Sequence, residues 1–268
     1  MEGVVAMMLD ATQQAEQPLT AQRLFSWHHA LFPTGHSGLY AVRVGAWRTG
    51  PMQVVSGPLG RERVHYEAPP AEDLAAQMQQ FLDWFNAPLN LDPVLKAAPA
   101  HFWFVTIHPF DDGNGRMARA ITDLQLSRAD GTGQRCYSMS AQIQAERQTY
   151  YELLETSQRG TLDLTSWFTW FLSCLGRALT RAEQTLGQVL SKGRFWERHQ
   201  QTPLSERQRQ LVARLLDGFE GKLTTSKWAR MAKCSQDTAG RDITDLISEG
   251  ILIKESSGGR STNYRLAA

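Results

Sequence analysis

Cysteine is scarce in this 268-residue chain: Cys136, Cys174 and Cys234 are the three, widely spaced and odd in number. They make neither a disulfide framework nor a zinc knuckle, so a reducing cytoplasm is the expected setting. An excess of one charge is also lacking. The 28 Lys+Arg offset 27 Asp+Glu for a net of +1, and no chain-wide field favours nucleic acid or an acidic substrate. No long hydrophobic run is present either. The most apolar stretch, 167–175, falls well short of the ~20 residues that cross a bilayer. The short apolar run 4–9 has no basic region before it, so neither a membrane span nor an export signal is expected. Internal repeats and low-complexity tracts are missing too. What remains has a globular composition, 42% apolar and 21% charged, which excludes disordered and fibrous classes. The length suits one large domain or two ordinary ones.

Helical spacing dominates the first two-thirds. Leu24, Trp27, His28 and Leu31 recur behind an N-cap at Thr20. The stretch 32–70 is rich in Gly and Pro, with β-prone runs at 52–55 and 63–66 around Ser56-Gly57-Pro58-Leu59-Gly60, the pattern of a hairpin. Leu74, Met78, Phe81, Leu82 and Phe85 mark the buried face of a helix over 71–86. Asp92-Pro93 reads as N-cap and first residue of the next helix. Pro99 is expected to kink or restart it, and Pro109 to push His108 out of the α region and stop it. Further helices are expected over 116–128, around Ile143–Leu154, and over 165–190. The polar stretch 192–203 lacks apolar periodicity and reads as the domain boundary. Beyond it, the capping box Ser205-x-x-Gln208 opens a helix to 216. A second runs over 225–232, and a third from 235 to a stop at Gly250. Short β runs at 251–254 and 263–266 flank Ser256-Ser257-Gly258-Gly259. Three helices and a two-stranded wing predict a winged helix-turn-helix over 203–268.

The segment His108-Pro-Phe-Asp-Asp-Gly-Asn-Gly-Arg-Met-Ala-Arg119 carries the chemistry. Gly113 and Gly115 let backbone N–H groups turn inward, and the loop leads into a helix N-terminus that favours an anion. Arg116 and Arg119, at i and i+3, share a helix face and suit a di- or triphosphate. Asp112 supplies a hard oxygen ligand for the Mg²⁺ that such a phosphate brings. His108 titrates near neutral pH and is the evident general base of the loop. Taken singly, each residue is a cap or turn residue. Their conjunction points to transfer of a nucleotide or phosphoryl group to a hydroxyl.

This segment resembles the Fic family signature, His-x-Phe-x-(Asp/Glu)-Gly-Asn-Gly-Arg-x-x-Arg, at every specified position. The resemblance covers about residues 1–192 and implies a mainly α fold, a helical bundle with a β-hairpin flap over 52–66. It implies a protein adenylyltransferase that moves AMP from ATP to a Ser, Thr or Tyr hydroxyl of a target protein. His108 would deprotonate the hydroxyl and Phe110 anchor the loop. Asp112 would hold Mg²⁺, Gly113, Asn114 and Gly115 form the anion hole, and Arg116 and Arg119 hold the outer phosphates. Doc-like kinases of the superfamily replace the second glycine with lysine, so Gly115 favours adenylyl transfer. Val64, His65, Tyr66 and Glu67 would lie over the nucleotide, with a target segment docked on the flap as an added strand. Tyr150 and Gln158 fall where the family contacts adenine, although Tyr150 equally suits a core position. Glu2-Gly3 resembles the tail of an inhibitory motif whose glutamate pairs with the second arginine, here Arg119; the upstream serine and most of that helix have no counterpart.

Other readings stay open: a Fic enzyme with another cargo or one that removes AMP, and a nucleotide-sensing regulator acting through its winged helix. A homodimer is compatible with the pattern. His28-His29 are adjacent rather than i, i+4, so a metal pair is not expected there. Residues 203–268 hold eleven Lys+Arg and eight Asp+Glu, net 11 − 8 = +3. The expected recognition helix sets Asp237, Asp242, Asp245 and Glu249 against Arg241 alone, which opposes phosphate contacts. The wing cations Lys254, Arg260 and Arg265 favour DNA. Protein contact is therefore expected ahead of DNA binding.

Overall fold

The computed structural model describes residues 2–58, 60–88, 91–161, 163–255 and 262–267. It divides into two compact units, one of residues up to Ala182 and one from Glu183 onward. The fold is mainly α. Among the described residues, no helix is long and apolar enough to cross a membrane.

The first unit opens with helices α1 (Glu2–Gln13) and α2 (Ala21–Leu31). Two small antiparallel hairpins follow, β1–β2 (His36–Ser37 with Tyr40–Ala41) and β3–β4 (Gln53–Ser56 with Arg63–Glu67). Then come α3 (Leu74–Asn86), α4 (Pro93–Ile107), α5 (Asn114–Asp130), α6 (Met139–Ala145), α7 (Arg147–Arg159) and α8 (Thr165–Arg198). Capping sets the starts. The Thr20 side chain accepts from the Arg23 amide, and Asp92 accepts from Val94 and Leu95 with Pro93 in the first turn.

Helices α4 and α5 form the centre. Ala97, Ala98, Ala100, Phe102, Phe104, Val105 and Ile107 of α4 are all buried, as are Met117, Ala118, Ile121, Leu124 and Leu126 of α5. Burial on every side is the signature of a core helix rather than an amphipathic one. It also explains a departure from expectation: α4 runs through Pro99 as a single helix. An interior proline costs ~3 kcal/mol, and the apolar burial on both sides of it outweighs that loss. The helix after the loop starts at Asn114, a little earlier than the expected 116. His108 does leave the right-handed α region, but into the left-handed one (φ 52°, ψ 57°) rather than the extended one. Its N–H still bonds Phe104 O, so it terminates α4 as a left-handed cap.

In the second unit, the last turns of α8 are followed by α9 (Glu206–Leu216), α10 (Thr225–Ala232) and α11 (Gln236–Ser248), and then an antiparallel pair, β5 (Leu252–Lys254) with β6 (Tyr264–Leu266). The reciprocal Ser205–Gln208 capping box is formed. Residues 192–198, expected as linker, are helical, because Phe195 is buried in a core with Leu211, Val212, Trp228 and Leu246. One acid also changes meaning. Asp242 is 4% exposed and takes two 2.7 Å hydrogen bonds from Arg207 and one of 3.1 Å from Trp228 Nε1. It faces inward, so it presents no charge to a partner. The wing tip, with Arg260 and Ser256-Ser257-Gly258-Gly259, lies outside the described residues, as does Leu59.

Candidate active site

The loop 108–113 crosses from the end of α4 to the start of α5, and packing fixes both ends. Phe110 is fully buried, stacked on the His28 ring at 4.2 Å and flanked by Phe25, Trp47 and Phe104. The Asn114 amide closes the loop on itself, accepting from Phe110 N at 3.0 Å and donating to Phe110 O at 2.7 Å. Gly113 sits at φ 85°, and a Cβ there would lie 3.0 Å from the Phe32 ring, so conformation and space both demand glycine. His28 buttresses the loop from behind. Its Nδ1 accepts from Gly45 N, which leaves Nε2–H to donate to Asp112 O at 3.2 Å.

His108 is half-buried, and its Nδ1 donates to Val105 O at 3.0 Å. A carbonyl only accepts, so Nδ1 carries the proton and Nε2 keeps its lone pair. Burial pushes the imidazole below its ordinary range; the Val105 bond and Asp112 oppose this, and the Arg48 charge reinforces it. Next to this base, the amides of Asn114, Gly115 and Arg116 find no acceptor among the described residues, as befits the first turn of a helix. The Gly113 amide differs: it donates to Asp112 Oδ1 at 2.5 Å. Arg116 leans back, 3.9 Å from Asp112 Oδ2 and with its guanidinium 4.8 Å from the Phe32 ring centre. Arg119 lies over Gly115, its Nη1 being 3.7 Å from where a Cβ would stand. Its charge reaches Tyr150, His101 and Asp123.

Residues 18–126 match the family model described as the Fic/DOC family. This segment is a Fic domain. The chain is 33% identical over 159 residues to the protein adenylyltransferase Fic of Drosophila willistoni, which takes in 52% of this chain and 31% of that protein. It thus spans about a third or less of the length of the curated relatives it matches. A solved Fic family protein from Desulfovibrio desulfuricans superposes with a TM-score of 0.55 at 22% identity, over 98% of this chain and 73% of that one. A Fic domain containing signaling protein from Bacteroides thetaiotaomicron gives 0.52 at 26%, over 67% of each chain.

Within the Fic domain, the hairpin β3–β4 is tied down at several points. Tyr66 Oη donates to Thr106 O at 2.8 Å, and Gln158 Nε2 to Thr106 Oγ1 at 3.2 Å, so both reach the turn of α4 that precedes His108. His65 lies 2.6 Å from Ser56 Oγ and 2.6 Å from Glu155 Oε2. Arg159 donates to the carbonyls of Val64 and His65, at 2.7 and 3.0 Å. Val64 and Glu67 are exposed. Two expected site residues stand elsewhere. Tyr150 is 3% exposed with its hydroxyl bonded to His101, a core residue rather than a wall open to a ligand. Glu2 is exposed and, among the described residues, makes no ion pair with Arg119. What the start of α1 does have is Gly3, packed so tightly on Ala30 that a Cβ would meet the Ala30 oxygen at 1.7 Å.

Sequence reasoning missed Arg48, His28 as a buttress, and Ser37, whose hydroxyl donates to Asp112 Oδ2 at 2.5 Å. Only His28 carried a signal, its place on the apolar face of α2.

Proposed function

We propose that this chain is a Mg-dependent protein adenylyltransferase. The observation that carries the reading is the pairing of a half-buried imidazole, its Nε2 lone pair open, with three amides free of acceptors at the start of α5. An anion seated on the amides of Asn114, Gly115 and Arg116 gains three donors and a helix N-terminus. Arg116 and Arg119 then neutralise the outer phosphates of ATP. The target hydroxyl attacks the α-phosphorus and its proton passes to His108 Nε2. The bond from that phosphorus to the bridging oxygen breaks, and pyrophosphate leaves.

Asp112 is the carboxylate that would hold Mg²⁺. Its side chain is 45% exposed, and its region holds no cluster of three or more acidic, His or Cys ligands among the described residues. A single carboxylate at a phosphate site fits a cation that arrives with its nucleotide. When bound, the ion neutralises charge on the α- and β-phosphates.

For the target we propose the exposed hairpin. Arg159 occupies the Val64 and His65 carbonyls of β4, whereas β3 pairs with no strand but β4 among the described residues. A target segment would therefore add along β3. Gln158, Tyr66 and Val64 would border the nucleotide. We read the second unit as a winged-helix domain that makes protein contacts. With Asp242 turned inward, α11 still exposes Asp237 and Asp245 beside Arg241, and its C-cap Glu249 is exposed as well. A cytoplasmic setting agrees with three free thiols.

The test is incubation with ATP labelled at the α-phosphate, Mg²⁺ and a cell lysate, followed by mass spectrometry. The expected product is a protein carrying AMP on a hydroxyl side chain. No label on any protein, or label that appears on protein only in a parallel incubation with γ-labelled ATP, would sink the reading.

A further inference from the structure

Arg48 is a charged side chain buried to 2% exposure, and it forms no ion pair among the described residues, Asp111 acting on it only through its field. A buried charge is costly, so its bonds must compensate. All of them go to backbone carbonyls. Nε donates to His108 O at 2.9 Å, Nη1 to Gly50 O at 2.8 Å and Nη2 to Pro69 O at 2.6 Å. Its own amide donates to Pro109 O at 2.9 Å. Gly50 lies just before β3 and Pro69 just after β4. One planar guanidinium thus joins both roots of the hairpin to the carbonyl of the base residue, with a fixed fork geometry that lysine lacks. The carbonyl it holds belongs to a non-glycine residue in the left-handed region, a conformation that persists only when the surroundings over-determine it.

We propose that Arg48 is a positioning residue that fixes the distance between His108 and the target-binding hairpin β3–β4. The inference rests on the adenylyl-transfer reading for its functional consequence, though not for the coupling itself. In that reading the attacking hydroxyl is delivered by the hairpin and its proton is taken by His108. Each is useless out of register with the other. Arg48 touches neither nucleotide nor hydroxyl, and the amides that would hold the phosphates stand on α5, outside its grip. Its loss should therefore impair turnover while leaving nucleotide binding alone.

The experiment compares wild type, Arg48→Lys and Arg48→Gln as full-length chains. Auto-adenylylation is followed with α-labelled Mg-ATP, and the exchange of backbone amides in β3, β4 and α5 is measured by mass spectrometry. Expected is a fall in kcat of about a hundredfold in both variants, the scale of an ångström-sized misplacement, with KM for ATP within about twofold. Hairpin amides should exchange faster, with α5 still protected. Lysine keeps the charge, so a rate restored by Arg48→Lys would overturn the proposal in favour of simple electrostatics. A KM for ATP that rises as kcat falls would overturn it in favour of general damage, as would exchange that rises in α5 as well. If wild type transfers no label to itself or to lysate proteins, the adenylyltransferase reading fails. The exchange data then still decide the coupling, because unchanged hairpin exchange in the variants would refute it. Should Arg48→Gln not fold, Arg48→Lys carries every arm.

Discussion

His101 Nε2 lies 3.0 Å from Tyr150 Oη, and its Nδ1 lies 2.9 Å from Thr122 Oγ1. The Thr122 hydroxyl is already committed as a donor to Ala118 O. It must therefore accept from Nδ1–H, and Nε2 must accept from the Tyr150 hydroxyl. Three helices, α4, α5 and α7, are pinned together by this chain of hydrogen bonds, and every member is satisfied only when the imidazole is neutral. Tyr150 is thereby a structural residue of the first unit.

The first prediction follows from that neutrality. Burial depresses His101 to about 3 from an ordinary 6.5. Its contribution is intact above pH 6.5 and is lost as pH falls from there toward 3, because the unfolded chain takes up a proton that the folded one refuses. The slope from this one residue is about 1.4 kcal/mol per pH unit in the middle of that window. Urea unfolding between pH 7 and 4 should show it, and His101→Gln should flatten it. A His101→Gln curve as steep as wild type would mean that another group titrates.

His108→Ala should abolish label transfer and spare ATP binding, since in the proposed mechanism the imidazole acts on the hydroxyl and not on the phosphates. Loss of a general base costs roughly 10²–10⁴-fold. Because burial lowers His108, the base is already deprotonated at neutral pH. The acid limb of kcat/KM in wild type should consequently fall below pH 6.5. An inflection above that value, or an alanine variant with full transfer, would remove His108 from the role.

Arg119→Ala should weaken nucleotide binding or misplace the outer phosphates, and Asp112→Ala should behave as Mg²⁺ withdrawal does. Calorimetric titration of each variant with ATP, with and without Mg²⁺, separates the two effects. The expected pattern is an Arg119 defect at all Mg²⁺ concentrations and an Asp112 variant that no longer responds to the ion. Wild-type titrations in both variants would rule out a Mg-nucleotide at the loop.

Glu2→Gly should leave auto-adenylylation within about twofold of wild type, the margin expected for an exposed surface change. Among the described residues, Glu2 has no ion pair to release from Arg119. Gly3→Ala is expected to be the damaging change, since the methyl would strike the Ala30 carbonyl and force α1 off α2. Label incorporation and thermal unfolding of the two variants distinguish these outcomes. A large activation by Glu2→Gly would restore an inhibitory role to that carboxylate.

The sequence by itself determined most of the helices, though not α1 or the last turns of α8, together with the caps and the identity of the loop. Thr20, Asp92 and Ser205 bond amides two or three residues away, and apolar spacing along 74–85 needs only the helical repeat to become a face. The signature loop was legible for the same reason: its glycines, its amides and Asn114 act on neighbours within the segment. Even the run through Pro99 departs from a local rule only because burial on all sides of α4 overrides it. The tertiary structure alone decided the rest. Arg48 meets His108 across 60 positions and His28 meets Asp112 across 84, and no spacing encodes such pairs. The inward turn of Asp242 toward Arg207 and the burial of Tyr150 against His101 are likewise set by which faces pack. A charge or a hydroxyl has one meaning in water and another in a core, and the difference lies in the partners that folding supplies.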